Sequence, residues 1–262
     1  MYAGEITQYI DFAQLVLYVF WLFFAGLCLW LRREDKREGY PLESDWTERS
    51  SRVRLEGYPA MPKPKRFKLP HGHHDVIAPR PEKETRELKA RPVGAWPGAP
   101  LEPTGNPMVD GVGPGSYALR SDTPDLMHTG ENKVVPLRVA TDYFLAPEDP
   151  DPRGMKVVGA DGLVGAVVKD AWVDRSEYML RFLELETTAA NGSRTVLVPS
   201  NYIRIDRARR VVKVISITSK HFADVPSIAA ADSITLREED RLMAYYAAGY
   251  LYATPDRLGP LM

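Results

Sequence analysis

Cysteine is almost absent from this chain: its 262 residues include one, Cys28. Without a second thiol, a disulfide framework and any cysteine-built zinc or iron-sulfur site are excluded, in keeping with a reducing compartment. Charge of one sign is missing too, because 34 Lys and Arg nearly balance 35 Asp and Glu for a net charge of -1. Chains that track phosphate backbones carry a basic excess, so this balance speaks against nucleic acid as a partner. No Ser/His/Asp nucleophile constellation and no GxxxxGK[ST] phosphate loop can be assembled.

What the chain does have is one long apolar run. Residues 12–31, FAQLVLYVFWLFFAGLCLWL, contain no charge. At ~1.5 Å of helical rise per residue such a run covers roughly the 30 Å of bilayer hydrocarbon. A secretory signal would need a basic region before the run and a small-residue cleavage site after it. Instead Glu5 and Asp11 precede it, while Arg32, Arg33, Lys36 and Arg37 follow. The expectation is an uncleaved single-pass anchor with residues 1–11 periplasmic and the bulk of the chain cytoplasmic, by the positive-inside rule. Tyr9 and Trp30 suit the two interfacial belts.

Between residues 41 and 155 lie 18 of the 22 prolines, in runs such as YPAMPKPKRFKLPHG and ARPVGAWPGAPLEPTGNP. Proline at this density breaks helices and central strands, so residues 32–132 are expected to be extended. The recurring Tyr58, Phe67, Leu69, Trp96, Leu101, Met108 and Tyr117 are too many for a solvated tether, and point to a segment lying along another protein's surface.

From residue 133 the pattern changes to short β-rich runs: VVPLRVA, MKVVGAD, GLVGAVVKDAWVD, LRFLELET, RTVLVPS, YIRID and RVVKVISITS. Alternation over Arg181, Phe182, Leu183, Glu184, Leu185 and Glu186 suits a strand with one buried face. Asp161-Gly162 signals a hairpin, and Asn191-Gly192-Ser193 is better read as a turn than as a glycosylation site. So many short strands favour a small closed or nearly closed barrel. Thr235 and Glu238 form a capping box that opens a C-terminal helix, with a stop expected near Gly249.

The blocks LRREDKREGYPLE, PKPKRFKLPHG, EPTGNPMVDGVGPGSYALR, VPLRVA, DPRGMKVVGADG, DAWVDRSE, RFLELE and TLREEDRLMAYYAAGYLYAT together resemble the H subunit of the purple-bacterial photosynthetic reaction centre, nearly end to end. The resemblance implies a membrane-anchored, mainly β chain: a single transmembrane helix, an extended proline-rich region, and a PRC-type β-barrel with a C-terminal helix over 133–262. It also implies a non-enzymatic subunit that caps the cytoplasmic face of the L and M subunits, stabilises the quinone sites and helps conduct protons to the secondary quinone. The cofactors expected in those partners are bacteriochlorophyll, bacteriopheophytin, quinones and iron; a cytochrome subunit and a light-harvesting antenna are further expected neighbours, as are membrane lipids. The apolar run contains no His to ligate a pigment metal, so this chain itself is expected to hold none.

Proton delivery needs a series of titratable groups bridged by water. Asp170, Asp174, Glu177 and Arg181 fall on the acidic and basic positions of the family's DxWVDxxExxxR pattern. There the resemblance places the glutamate nearest the quinone pocket. Proton entry in the family uses a histidine pair, whereas DLMHTGENK offers Asp125, a single His128 and Glu131. Imidazole titrates near neutral pH, so one histidine with carboxylates still suits proton collection.

Two rival readings come from other classes. A membrane-tethered PRC-barrel adaptor for a soluble partner would not need so much aromatic and aliphatic material in the proline-rich segment. A metal-dependent hydrolase built on His71, His73, His74 and Asp75 lacks a glutamate placed to activate water, so no metal site is expected. GVGPG at residues 111–115 contains proline and is read as a turn.

Overall fold

The computed structural model describes residues 5–7, 10–40, 42–43, 54–55, 57–72, 75–79, 85–96 and 98–258. They divide into two compact units, one comprising residues 1–86 and 94–99, the other 87–93 and 100–262. Tyr9, His73 and His74 lie outside the described residues.

The first unit is dominated by a helix, α1 (Phe12–Asp35), preceded by the short antiparallel pair β1 (Glu5–Thr7) and β2 (Ile10–Asp11). Asp11 caps α1 by accepting the Gln14 N–H at 2.7 Å, which satisfies one of the amides that a helix start leaves open. None of α1 is buried, and by length and composition it is long and apolar enough to cross a membrane. Beyond it come two antiparallel pairs, β3 (Leu42–Glu43) with β4 (Arg54–Leu55) and β5 (Lys65–Phe67) with β6 (Val76–Ala78). Short ladders are thus interspersed with extended chain where proline allows.

The second unit begins with β7 (Ala90–Pro92) paired to β8 (Leu101–Pro103), followed by the one-turn helix α2 (Pro107–Asp110). Its main sheet uses β9 (Val134–Pro136), β10 (Lys156–Val158), β11 (Val164–Asp174), β12 (Met179–Thr187), β13 (Thr195–Pro199), β14 (Ile203–Asp206) and β15 (Val211–Val214). The order is β13-β12-β11-β10-β15-β14, with β9 pairing on β11. All pairings are antiparallel except β10 with β15. Among the described residues the ladder does not close, and the two end strands are joined by the 3-10 turn Ser200–Tyr202. Both turn readings hold: Gly162 at φ 73° closes β10 onto β11, and Gly192 at φ 87° lies between β12 and β13.

The last helix, α3 (Leu236–Tyr252), opens on the expected capping box, with Glu238 N–H on Thr235 Oγ1 at 3.2 Å and Thr235 N–H on Glu238 Oε2 at 2.9 Å. It runs one turn past Gly249. A Cβ there would stand 2.5 Å from the Ser216 carbonyl oxygen, so this glycine allows close approach of helix and strand end rather than stopping the helix. Trp172, Phe182, Leu183, Leu185, Leu197, Phe222, Tyr245 and Tyr246 fill the core. Tyr246 satisfies its hydroxyl on the Leu197 carbonyl at 3.0 Å, and Tyr245 on that of His221 at 2.7 Å.

Two expectations are revised here. The break expected at residue 132 is not a break in packing. Buried Met108 and Gly115 lie on α3, and Ala118 N–H reaches Asp240 at 2.8 Å, so residues 100–132 use part of their apolar content within the chain. Also, β12 is buried on both faces from Phe182 to Leu185, including Glu184, because the sequence alternation reports polarity and not what covers the polar side.

Candidate functional site

Lys133 ends the loop that precedes β9, and β9 pairs with β11 in the register Val134 to Asp174. That register brings Lys133 beside the end of β11, where Arg175 N–H donates to its carbonyl at 3.0 Å. Its ammonium then lies 3.3 Å from Asp174 Oδ2, 3.4 Å from Glu177 Oε1 and 3.7 Å from Asp125 Oδ2. Burial pushes the Lys133 ammonium down, but its three carboxylate neighbours outweigh that and hold it above its ordinary value.

Asp174 is buried and organises the turn between β11 and β12: its Oδ1 accepts the N–H groups of Ser176 at 2.9 Å and Glu177 at 3.0 Å. Such an Asx turn fixes the backbone that presents Glu177, whose own side chain is 58% exposed. Tyr143 pins the same turn by donating to the Arg175 carbonyl at 3.0 Å, and its ring lies 5.7 Å from that of Tyr178. Arg175 reaches back to Glu131 at 3.2 Å and to the Asn132 carbonyl at 3.0 Å. The loop 125–133 is closed by Lys133 N–H on the Asp125 carbonyl at 2.9 Å, and carries exposed His128 near its tip.

Arg181 occupies a bulge, since Val173 pairs with Leu180 and Trp172 with Phe182. A bulged residue re-aims its side chain. Here the guanidinium meets Glu239 of α3 at 3.4 Å. Burial raises the Glu239 carboxyl above its ordinary range, and Arg181 offsets only part of this. Glu239 was not singled out from sequence, where it reads as one of several acidic residues in a first helical turn; only α3 packing buries it.

Asp170 belongs to a different cluster. It pairs across the sheet with Glu184, and Arg138 holds both carboxylates, at 3.2 Å and 2.6 Å. Lys169 adds a contact to Glu184 at 3.3 Å, Trp172 donates its indole N–H at 2.9 Å, and Asp232 occupies the outer side of Arg138 at 2.9 Å. The structure therefore unites Asp125, Asp174 and Glu177 around Lys133, sets Glu131 beside them through Arg175, and gives Arg181 and Asp170 separate partners. Among the described residues, no group of three or more His, Cys, Asp or Glu could hold a metal ion.

Comparison with known families gives two matches. Residues 4–139 match the photosynthetic reaction centre H-chain N-terminal region, and residues 148–220 match the PRC-barrel domain. The first covers over half of the chain, so this chain belongs to the photosynthetic reaction centre H-chain family.

Proposed function

We propose that this member of the H-chain family caps the cytoplasmic face of the pigment-bearing L and M subunits, stabilises the quinone sites and helps conduct protons from the cytoplasm to the secondary quinone. As an H chain it is a structural subunit of a reaction centre complex. The apolar helix α1 fits a photosynthetic membrane, and the basic residues after that helix favour a cytoplasmic C-terminal part.

The observation that carries the proton role is the surround of Lys133. Three carboxylates converge on one ammonium, graded from buried Asp174 to half-exposed Asp125 and exposed Glu177. Proton relay needs groups that exchange with solvent and with an interior acceptor, and this gradation supplies both ends. Exposed His128 and Glu131 on the adjoining loop are the proposed collectors, and the buried Glu239, with its raised carboxyl, is a proposed member beside Arg181. Asp170, locked against Arg138, is assigned to holding the fold. Pigments, quinones and iron are assigned to the partner subunits, because α1 carries no His.

The test is Glu177→Gln, which keeps shape and hydrogen-bonding capacity but removes the ionisable proton. In flash spectroscopy of the assembled complex, primary charge separation is expected to be unchanged and the proton-coupled second reduction of the secondary quinone to slow. An unchanged second-electron rate and unchanged proton uptake across pH would make Glu177 a solvated carboxylate only.

A further inference from the structure

The basic hairpin β5–β6 in the first unit lies outside the proton route proposed above, and its placement is specific. Lys65 Nζ pairs with Glu34 in the last turn of α1 and stands 5.8 Å over the Trp30 ring. Arg37, just past that helix, donates to the Lys63 carbonyl and, at 3.3 Å, to the Ala78 carbonyl, holding the chain that leads into β5 and the end of β6. The hairpin is therefore pinned at the end of the apolar helix, beside the tryptophan that marks the interface.

What it presents there is both cationic and apolar. Lys63, Lys65, Arg66 and Lys68 fall within six residues, all exposed. Among the described residues Arg66 has one carboxylate, Asp75 at 3.5 Å, and no ion pair involves Lys63 or Lys68. Strand alternation puts Phe67 on the same face as Lys65, the face turned to Glu34 and Trp30, about 7 Å further along. Phe67 is 46% exposed and Leu69 43%, although each follows a strand-paired or chain-linked cation. Exposed apolar side chains interleaved with long cationic ones, held at the level where a span leaves the bilayer, are the elements of an interfacial membrane contact.

We infer that the strand pair β5–β6 docks on the membrane surface, with Phe67 and Leu69 entering the headgroup layer and Lys63, Arg66 and Lys68 binding the phosphates of anionic phospholipids. This rests on α1 spanning the bilayer. Anionic leaflets attract juxtamembrane cations, and each one neutralised lowers such binding about fivefold. The contact also gives the hairpin a role that its size would not support alone, since an isolated two-stranded ladder is marginal in water.

The experiment uses the full chain with Cys28→Ser and a spin label at Leu69→Cys, reconstituted in nanodiscs of phosphatidylcholine or of phosphatidylcholine with one-quarter phosphatidylglycerol. Accessibility to oxygen against a water-soluble nickel reagent reads the depth of the label. The label is expected to move deeper with phosphatidylglycerol, to return outward in the Lys63→Gln/Arg66→Gln/Lys68→Gln variant, and to be unaffected by inorganic phosphate. Equal depth in both discs, or a shift that survives the triple substitution, overturns the inference. Displacement of the label by inorganic phosphate also overturns it, leaving a soluble-anion site instead. A label at Phe20→Cys that reports water exposure would refute the span itself, which separates that failure from failure of the hairpin.

Discussion

Asp170 and Glu184 face each other as direct cross-strand neighbours on β11 and β12, two nearly buried carboxylates bridged by the single guanidinium of Arg138 at 3.2 Å and 2.6 Å. Like charges opposite one another destabilise a sheet, so the arrangement stands only while Arg138, Lys169 and the Trp172 indole satisfy it. Burial pushes the Glu184 carboxyl up, but the hydrogen bonds from Arg138 and Trp172 outweigh that and hold it below its ordinary range.

Arg138→Met is therefore expected to destabilise the β-barrel region by about 3 kcal/mol, because it strands buried charge rather than removing it. Urea unfolding followed by tryptophan fluorescence measures this, and Arg138→Met with Glu184→Leu should recover part of the loss. The pH dependence has a definite sign. A carboxyl whose folded value is depressed gives stability that is present above its unfolded value and lost as pH falls through the folded one. Wild type should lose stability on acidification below the ordinary glutamate range more steeply than Glu184→Leu carrying Arg138→Met.

Glu239 has the opposite sign. Burial raises it, so its ionised form costs stability at neutral pH, and that cost is relieved as pH falls through the raised value. Glu239→Gln should unfold at a higher temperature than wild type at pH 7, with the difference shrinking towards the ordinary glutamate range. A difference that does not vary with pH would show that the residue acts through packing alone.

Gly249→Ala sets two effects against each other. Alanine favours a helix interior by ~1 kcal/mol over glycine. Against this, its Cβ would stand 2.5 Å from the Ser216 carbonyl oxygen and 2.6 Å from Ile217 Cγ2, and forcing a methyl into a packed site costs about 1 to 3 kcal/mol. Backbone is the nearer obstacle and cannot rotate aside, so the overlap should win: net destabilisation by thermal melting, with helix content retained at low temperature.

Orientation is tested by proteolysis. Arg32, Arg33, Lys36 and Arg37 flank only the C-terminal end of the apolar run, so protease added to right-side-out spheroplasts should spare the chain after residue 38. Digestion there would reverse the topology and remove the proposed route for cytoplasmic protons.

The apolar run, the capping box at Thr235 and Glu238, and the two glycine turns were legible in the amino-acid sequence because each depends on residues a few positions apart. So was the proposed grouping of Asp174 with Glu177, which one Asx turn holds. Lys133 was not, because it joins them through strand pairing across more than forty residues. The family resemblance implied one role for Asp170 and Asp174. Strand register gives the two different partners, placing Asp170 opposite Glu184 under Arg138 and Asp174 beside Lys133. Glu239 and Gly249 make the same point on α3. Their meaning comes from what the helix is packed against, since burial sets the cost of a charge and the room for a methyl, and burial is a property of the folded chain alone.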